Sequence, residues 1–191
     1  VPQGPLNNLM GARGRGGSGG ARRQEALIGP WIHSLGERGT ESRTGDIDFG
    51  PASLVDLRRE ELRWFDYWLR GVDDGIMSEP PVKVFVMGRN DWRTASDWPI
   101  PGTRFVPHYF HSGGQAATLW GDGRLDRREP GTEPPDRYVY DPADPVPTLG
   151  GSTCCGEDIT PISMGPRDQR SAEWRPDVLV YSTPPLDADV E

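Results

Sequence analysis

The sequence predicts an α/β plus all-β chain: an α/β segment over residues 1–78, then a β-sandwich of jelly-roll type over 79–191. Three observations lead there. Residues 53–70 carry apolar side chains at helical spacing, with Leu54, Leu57, Leu62, Phe65, Trp68 and Leu69 largely on one face. After residue 78, short β-rich runs alternate with proline and glycine, the texture of a sandwich or jelly roll. Glycine and proline number 25 and 20 of 191 residues, which excludes a helix bundle or coiled coil as a reading of the whole chain. Seven tryptophans and five tyrosines argue equally against a disordered chain, because such side chains are kept where they can pack.

Residues 1–25 contain GARGRGGSGGARRQ and read locally as flexible, Gly/Arg-rich backbone. Ala26-Leu27-Ile28 is a short apolar run stopped by Gly29-Pro30, as expected of a buried strand that ends in a loop. In the helix over 53–70, Ser53 is placed to cap the start, Asp56 lies near the positive dipole end, and Gly71 sits where a C-terminal cap belongs. Trp64, Tyr67 and Trp68 are read as packing residues. The strand candidates beyond Pro80-Pro81 are 82–88, 104–110, 116–119, 137–140 and 177–181.

Charge and cysteines narrow the function. A net charge of −8 leaves no basic footprint over the whole chain, so no nucleic-acid partner is expected. No apolar run approaches the roughly 18 residues of a membrane span, and no membrane partner is expected. Cys154 and Cys155 are adjacent and fit neither a disulfide framework nor a zinc site; they read as reduced loop thiols. No signal or transit segment opens the chain, and a cytoplasmic setting is favoured.

Several motif matches fail on context. Gly16-Gly17-Ser18-Gly19-Gly20 spells G-x-S-x-G, but a nucleophile elbow needs a strand before its serine and a helix after it. Gly14 to Gly19 spells G-x-G-x-x-G with the same defect. The arginines interleaved here resemble an RNA-binding segment, yet no aromatic lies among them. His108 and His111, three apart on a strand, fall on opposite faces, which disfavours a shared metal. Asp46 and Asp48 read as solvated loop residues. No metal or cofactor is expected.

The remaining histidine is His33, in Leu27-Ile28-Gly29-Pro30-Trp31-Ile32-His33. A histidine on a loop after a strand can serve as the proton carrier of a serine hydrolase; an ordinary loop histidine is the alternative.

That segment resembles the GPW-x-H stretch of the X-Pro dipeptidyl-peptidase/cocaine-esterase family of serine hydrolases. Further stretches are similar to the family in the same order: Phe49-Gly50-Pro51-Ala52; Trp64 to Gly71; Glu79 to Gly88; Trp92-Arg93 with Trp98-Pro99; His111 to Gly114; Tyr140-Asp141-Pro142; Asp144 to Thr148 with Gly150-Gly151; and Asp168-Gln169 before Asp177 to Tyr181. The resemblance covers most of the chain after residue 24. It implies the tail end of an α/β-hydrolase domain over 1–78, followed by an incomplete jelly-roll domain of galactose-binding-like type over 79–191. It implies cleavage of acyl ester or amide bonds, by an esterase, acylase or dipeptidyl-peptidase, through a Ser-His-Asp mechanism with His33 as general base.

The resemblance also implies that the nucleophilic serine, an oxyanion-binding tyrosine and the orienting aspartate lie upstream of Val1. Gln3 to Asn8 then correspond to a stretch soon after that aspartate, and glycines at 11–20 weaken a helix. Ser18 is not the nucleophile. The polypeptide alone is expected to be inactive, with a small ester, amide or peptide as the parent's substrate; self-association of the parent is left open. The alternative is a non-catalytic β-sandwich binding module carrying a hydrolase remnant.

Overall fold

The computed structural model describes residues 3–15, 24–33, 39–152 and 163–190. Ser18 and both cysteines lie outside the described residues. The chain divides into two compact units, Val1–Thr103 with Ser152–Pro166, and Arg104–Gly151 with Arg167–Glu191. Among the described residues there are three small sheets, three α-helices and no closed barrel.

The first unit opens with helix α1, Gln3–Arg15. The looseness expected of residues 1–25 therefore does not extend to 3–15. Glycine costs a helix about 1 kcal/mol per residue in propensity, but tertiary packing supplies most helical stability in a folded chain. Leu6 and Leu9 are buried, and Leu9 joins Val82 and Ala95 in a core flanked by Ala26, Trp98 and Ile100. At the helix end, Arg13 donates to the Ser96 carbonyl at 3.1 Å.

The central sheet of this unit has the order β1-β4-β5, with β1 Ala26–Ile28, β4 Val82–Val86 and β5 Asp91–Ala95. Strand β1 runs parallel to β4, pairing Ala26 with Val82, while β5 returns antiparallel and pairs Trp92 with Phe85. Strand β4 takes its parallel partner from residues 26–28, so 82–86 and 26–28 share one sheet. A two-residue hairpin, β2 Arg43–Thr44 and β3 Ile47–Asp48, turns through Gly45, whose φ is 60°. The carbonyl of Pro166 would lie 2.2 Å from a Cβ at Gly45, so both backbone conformation and space demand glycine there.

Helix α2 spans Leu57–Phe65 and passes into a π-helical turn, Asp66–Arg70, closed by Gly71 at φ 69°. The C-terminal glycine falls where expected. The N-cap is Asp56, whose carboxylate accepts from the Arg59 N–H at 3.0 Å; Ser53 belongs instead to the 3-10 turn Pro51–Ser53, fully buried, its hydroxyl donating to the Gly50 carbonyl at 2.7 Å. Leu54 following it is extended, so the helix cannot begin at Ser53. The apolar face of α2 contains no buried residue; Leu62, Phe65 and Leu69 are exposed, while Trp64 and Tyr67 each pack on Trp68.

In the second unit, β6 Tyr109–His111 pairs antiparallel with β7 Arg124–Asp126, and α3 is a single turn, Arg170–Glu173. The expected strand at 104–110 is confined to its end. Those at 116–119 and 177–181 reduce to one bridge, Ala117 with Leu179, and 137–140 forms no ladder. Around that bridge the Thr118 N–H donates to the Val178 carbonyl at 2.9 Å and the Val180 N–H to the Ala116 carbonyl at 2.8 Å, while carboxylates take neighbouring donors: Asp136 accepts from the Ala116 N–H at 2.8 Å, and Asp122 from those of Gly113 and Gln115 at 2.8 and 3.2 Å. A backbone donor satisfied in this way has no need of a ladder. Gly123 lies so close beneath Val180 that a Cβ would sit 2.1 Å from its carbonyl oxygen.

Candidate functional site

Every histidine is described, and the structure separates them by environment. His33 is exposed, on the loop that leaves β1. His108 is exposed, whereas His111 on β6 is buried.

The loop before His33 is fixed through its neighbours. The Trp31 indole folds back over Gly29 so closely that a Cβ there would meet ring atoms at 2.5 Å. The Pro30 carbonyl accepts from the Thr44 hydroxyl at 2.9 Å, and the Trp31 Nε1–H donates to the Ser53 carbonyl at 3.3 Å. The Trp31 ring lies 6.0 Å from that of Trp92 on β5, and Trp92 Nε1–H donates to the Ala52 carbonyl at 2.7 Å. Trp92 stacks edge-on to Phe85, which meets Phe49 in turn, and the ammonium of Lys83 sits 5.3 Å over the Trp92 ring. Two indole N–H groups therefore grip consecutive carbonyls of the 3-10 turn at 51–53.

That turn has its own anchor. The Asp48 carboxylate accepts from the Gly50 N–H at 2.9 Å, the main cause of an acidity greater than an ordinary aspartate's. Asp46 lies in the β2–β3 turn, its carbonyl taking a hydrogen bond from Arg43 at 3.3 Å. An exposed imidazole two residues after an anchored segment has one thing that proton transfer needs, access to a reacting group.

His111 is placed otherwise. Its Nδ1 lies 2.7 Å from Glu133 Oε1 and its Nε2 2.8 Å from the Arg128 carbonyl, so two acceptors hold the ring. The Glu133 carboxylate, then the Arg128 carbonyl, raise the imidazole pKa above its usual range; His111 lowers that of Glu133. The adjacent Ser112 donates its hydroxyl to Asp136 at 2.7 Å. Asp136 also accepts from the Tyr181 hydroxyl, which makes it more acidic, while burial first and Asp136 second push the Tyr181 phenol up to about 12. Serine, histidine and carboxylates are neighbours here, but each is paired separately and both ring nitrogens of His111 are occupied.

No group of three His, Cys, Asp or Glu side chains among the described residues could hold a metal ion, and no helix among them is long and apolar enough to cross a membrane. Sequence reading singled out His33 but not the indole pair behind it. The signal was present as Gly29-Pro30-Trp31 and Asp91-Trp92, and only the fold shows that they meet.

Residues 74–191 match the family described as the X-Pro dipeptidyl-peptidase C-terminal non-catalytic domain. Cocaine esterase of Rhodococcus sp. (strain MB1 Bresler) is 40% identical over 168 residues, covering 86% of this chain and 28% of that protein. A putative serine esterase of Mycobacterium bovis is 41% identical over 78 residues, 40% of this chain and 12% of that protein. A putative Xaa-Pro dipeptidyl-peptidase of Bacillus anthracis is 37% identical over 71 residues, 37% of this chain and 10% of that protein. The chain thus spans between a tenth and somewhat over a quarter of the length of these relatives.

Proposed function

The chain belongs to the X-Pro dipeptidyl-peptidase/cocaine-esterase family, carrying its C-terminal non-catalytic domain over residues 74–191, and from this premise we propose that it is the C-terminal part of a serine hydrolase that cleaves acyl ester or amide bonds. On this reading residues 1–78 close an α/β-hydrolase catalytic domain and 79–191 begin a jelly-roll domain. His33 is the general base: it takes the proton of a serine hydroxyl as the serine attacks the acyl carbon, and returns it to the leaving alcohol or amine. The nucleophilic serine and the aspartate that orients the imidazole are assigned to no residue of this chain.

The observation that carries the reading is the GPW-x-H loop, in which an exposed imidazole leaves a strand on a segment tied down at Pro30 and Trp31. Relatives named as esterases and dipeptidyl-peptidases supply the reaction class. Without a serine to activate, the imidazole has no nucleophile, so the 191-residue polypeptide alone gives no ester turnover above background.

The test is made on the complete hydrolase that contains this chain. A fluorophosphonate probe labels one serine, p-nitrophenyl acetate is turned over, and His33→Ala lowers kcat by about a thousandfold or more, as loss of a triad member does. A second reading, a non-catalytic binding module, draws on the exposed edge-to-face pair of Trp120 and Trp174, ring centres 6.0 Å apart. Absence of probe labelling in the complete protein would favour it.

A further inference from the structure

We propose that Trp92, a residue of the region matching the non-catalytic domain, is a positioning residue for His33 and acts through Trp31. The inference rests on the reading of His33 as the general base.

Trp92 lies on β5 and Trp31 on the loop after β1, the two outer strands of one sheet. Strand β4 lies between them, and the side chains reach each other beside the turn at 51–53. Both indole N–H groups are used there, Trp92 on Ala52 and Trp31 on Ser53, two adjacent residues of a turn whose Ser53 is fully buried. The rings are 6.0 Å apart and inclined at 46°, a tilted aromatic contact. Phe85, paired with Trp92 across β4 and β5, backs the Trp92 ring at 5.3 Å.

Trp31 cannot move away from this contact freely. Its ring is folded over Gly29 with no room for a Cβ, and the intervening Pro30 is held both by its ring and by Thr44 at its carbonyl. His33 follows two residues later. A change at Trp92 is therefore transmitted along a short, constrained backbone to the imidazole. A displacement of about 1 Å in a reacting group can cost about a hundredfold in rate, so the size of the ring at 92 bears on kcat rather than on substrate binding.

Three variants of the complete hydrolase test this with p-nitrophenyl acetate as substrate. Trp92→Phe keeps an aromatic ring and loses the N–H; Trp92→Leu loses both; Gly29→Ala drives the Trp31 ring off its seat from the other side. Expected are a fall in kcat of roughly ten- to a hundredfold for Trp92→Leu and Gly29→Ala, a smaller fall for Trp92→Phe, and KM within about twofold of the parent. The split between kcat and KM separates a displaced imidazole from a damaged substrate pocket, which would raise KM. Folded state is followed by near-ultraviolet circular dichroism; if Trp92→Leu fails to fold, the other two variants decide.

Folded variants with kcat within twofold of the parent, or with a raised KM and unchanged kcat, beside an inactive His33→Ala, would overturn the positioning role alone. Full turnover by His33→Ala would overturn the reading beneath it and this inference together.

Discussion

His33 and His111 are a natural experiment in what a fold does with an imidazole. In the first unit the supports are arranged around the residues before the histidine, at Gly29, Pro30 and Trp31, and the ring of His33 is left exposed. In the second unit the supports are on the ring itself: Glu133 on one nitrogen and the Arg128 carbonyl on the other. A histidine that follows an anchored segment, with its ring exposed, can present that ring to a reacting group. A histidine held through both nitrogens is part of the architecture, even with a serine beside it and carboxylates nearby.

The comparison can be broken by probing what each unit depends on. The largest stability effect is expected at Gly123→Ala in the second unit. Its Cβ would lie 2.1 Å from the Val180 carbonyl oxygen and 2.9 Å from the Ala116 side chain. Overpacking against backbone costs about 3 kcal/mol, read as a lower urea midpoint with the slope unchanged. Next comes Val82→Ala in the first unit, where a side chain with 0% exposure joins Leu9 and Ala95. Lost burial and the resulting cavity cost about 2 kcal/mol.

A smaller effect sharpens the contrast between the histidines. His111→Ala leaves the Glu133 carboxylate and the Arg128 carbonyl without their partner and lowers the thermal midpoint. His33→Ala stays within about 0.5 kcal/mol of the parent, as exposed substitutions do.

The smallest effect is in pH. The folded imidazole of His111 binds its proton more firmly than the usual 6.5, so its contribution is fully present below 6.5 and is lost as pH rises through the raised value. Glu133 is more acidic than the usual 4.5, so its contribution is present above 4.5 and is lost as pH falls through the lowered value. The pair therefore stabilises most between pH 4.5 and 6.5. Urea midpoints measured from pH 4 to 9 should show both limbs in the parent. In Glu133→Gln the acid limb disappears and the alkaline limb weakens; an unchanged profile would remove Glu133 from the account.

The sequence was most legible where local chemistry and tertiary need agree. Gly71 closes its helix, and β4 falls on the β-rich run Val82 to Val86, because each is specified by residues within one turn or one strand. Helix α1 was hidden because the glycines around Leu6 and Leu9 argue for a coil, and only the core around Val82 reverses that. Strand β5, Asp-Trp-Arg-Thr-Ala, carries too little apolar character to announce itself and is defined by its pairing with β4. The run at 177–181 has the composition of a full strand, but its pairing stops at one bridge, flanked by the Val180 N–H on the Ala116 carbonyl and the Thr118 N–H on the Val178 carbonyl, while the Ala116 N–H turns to the Asp136 carboxylate, a long-range partner that no periodicity reveals. For the site, the motif identified His33 itself, while the indole pair that props its loop depends on a contact between residues 61 positions apart in sequence.

The most direct test of the whole account compares the two histidines in the complete hydrolase, by p-nitrophenyl acetate turnover per folded molecule. His33→Ala should lose about a thousandfold or more in kcat, and His111→Ala should stay within about threefold of the parent. Turnover that survives in His33→Ala but collapses in folded His111→Ala would contradict it.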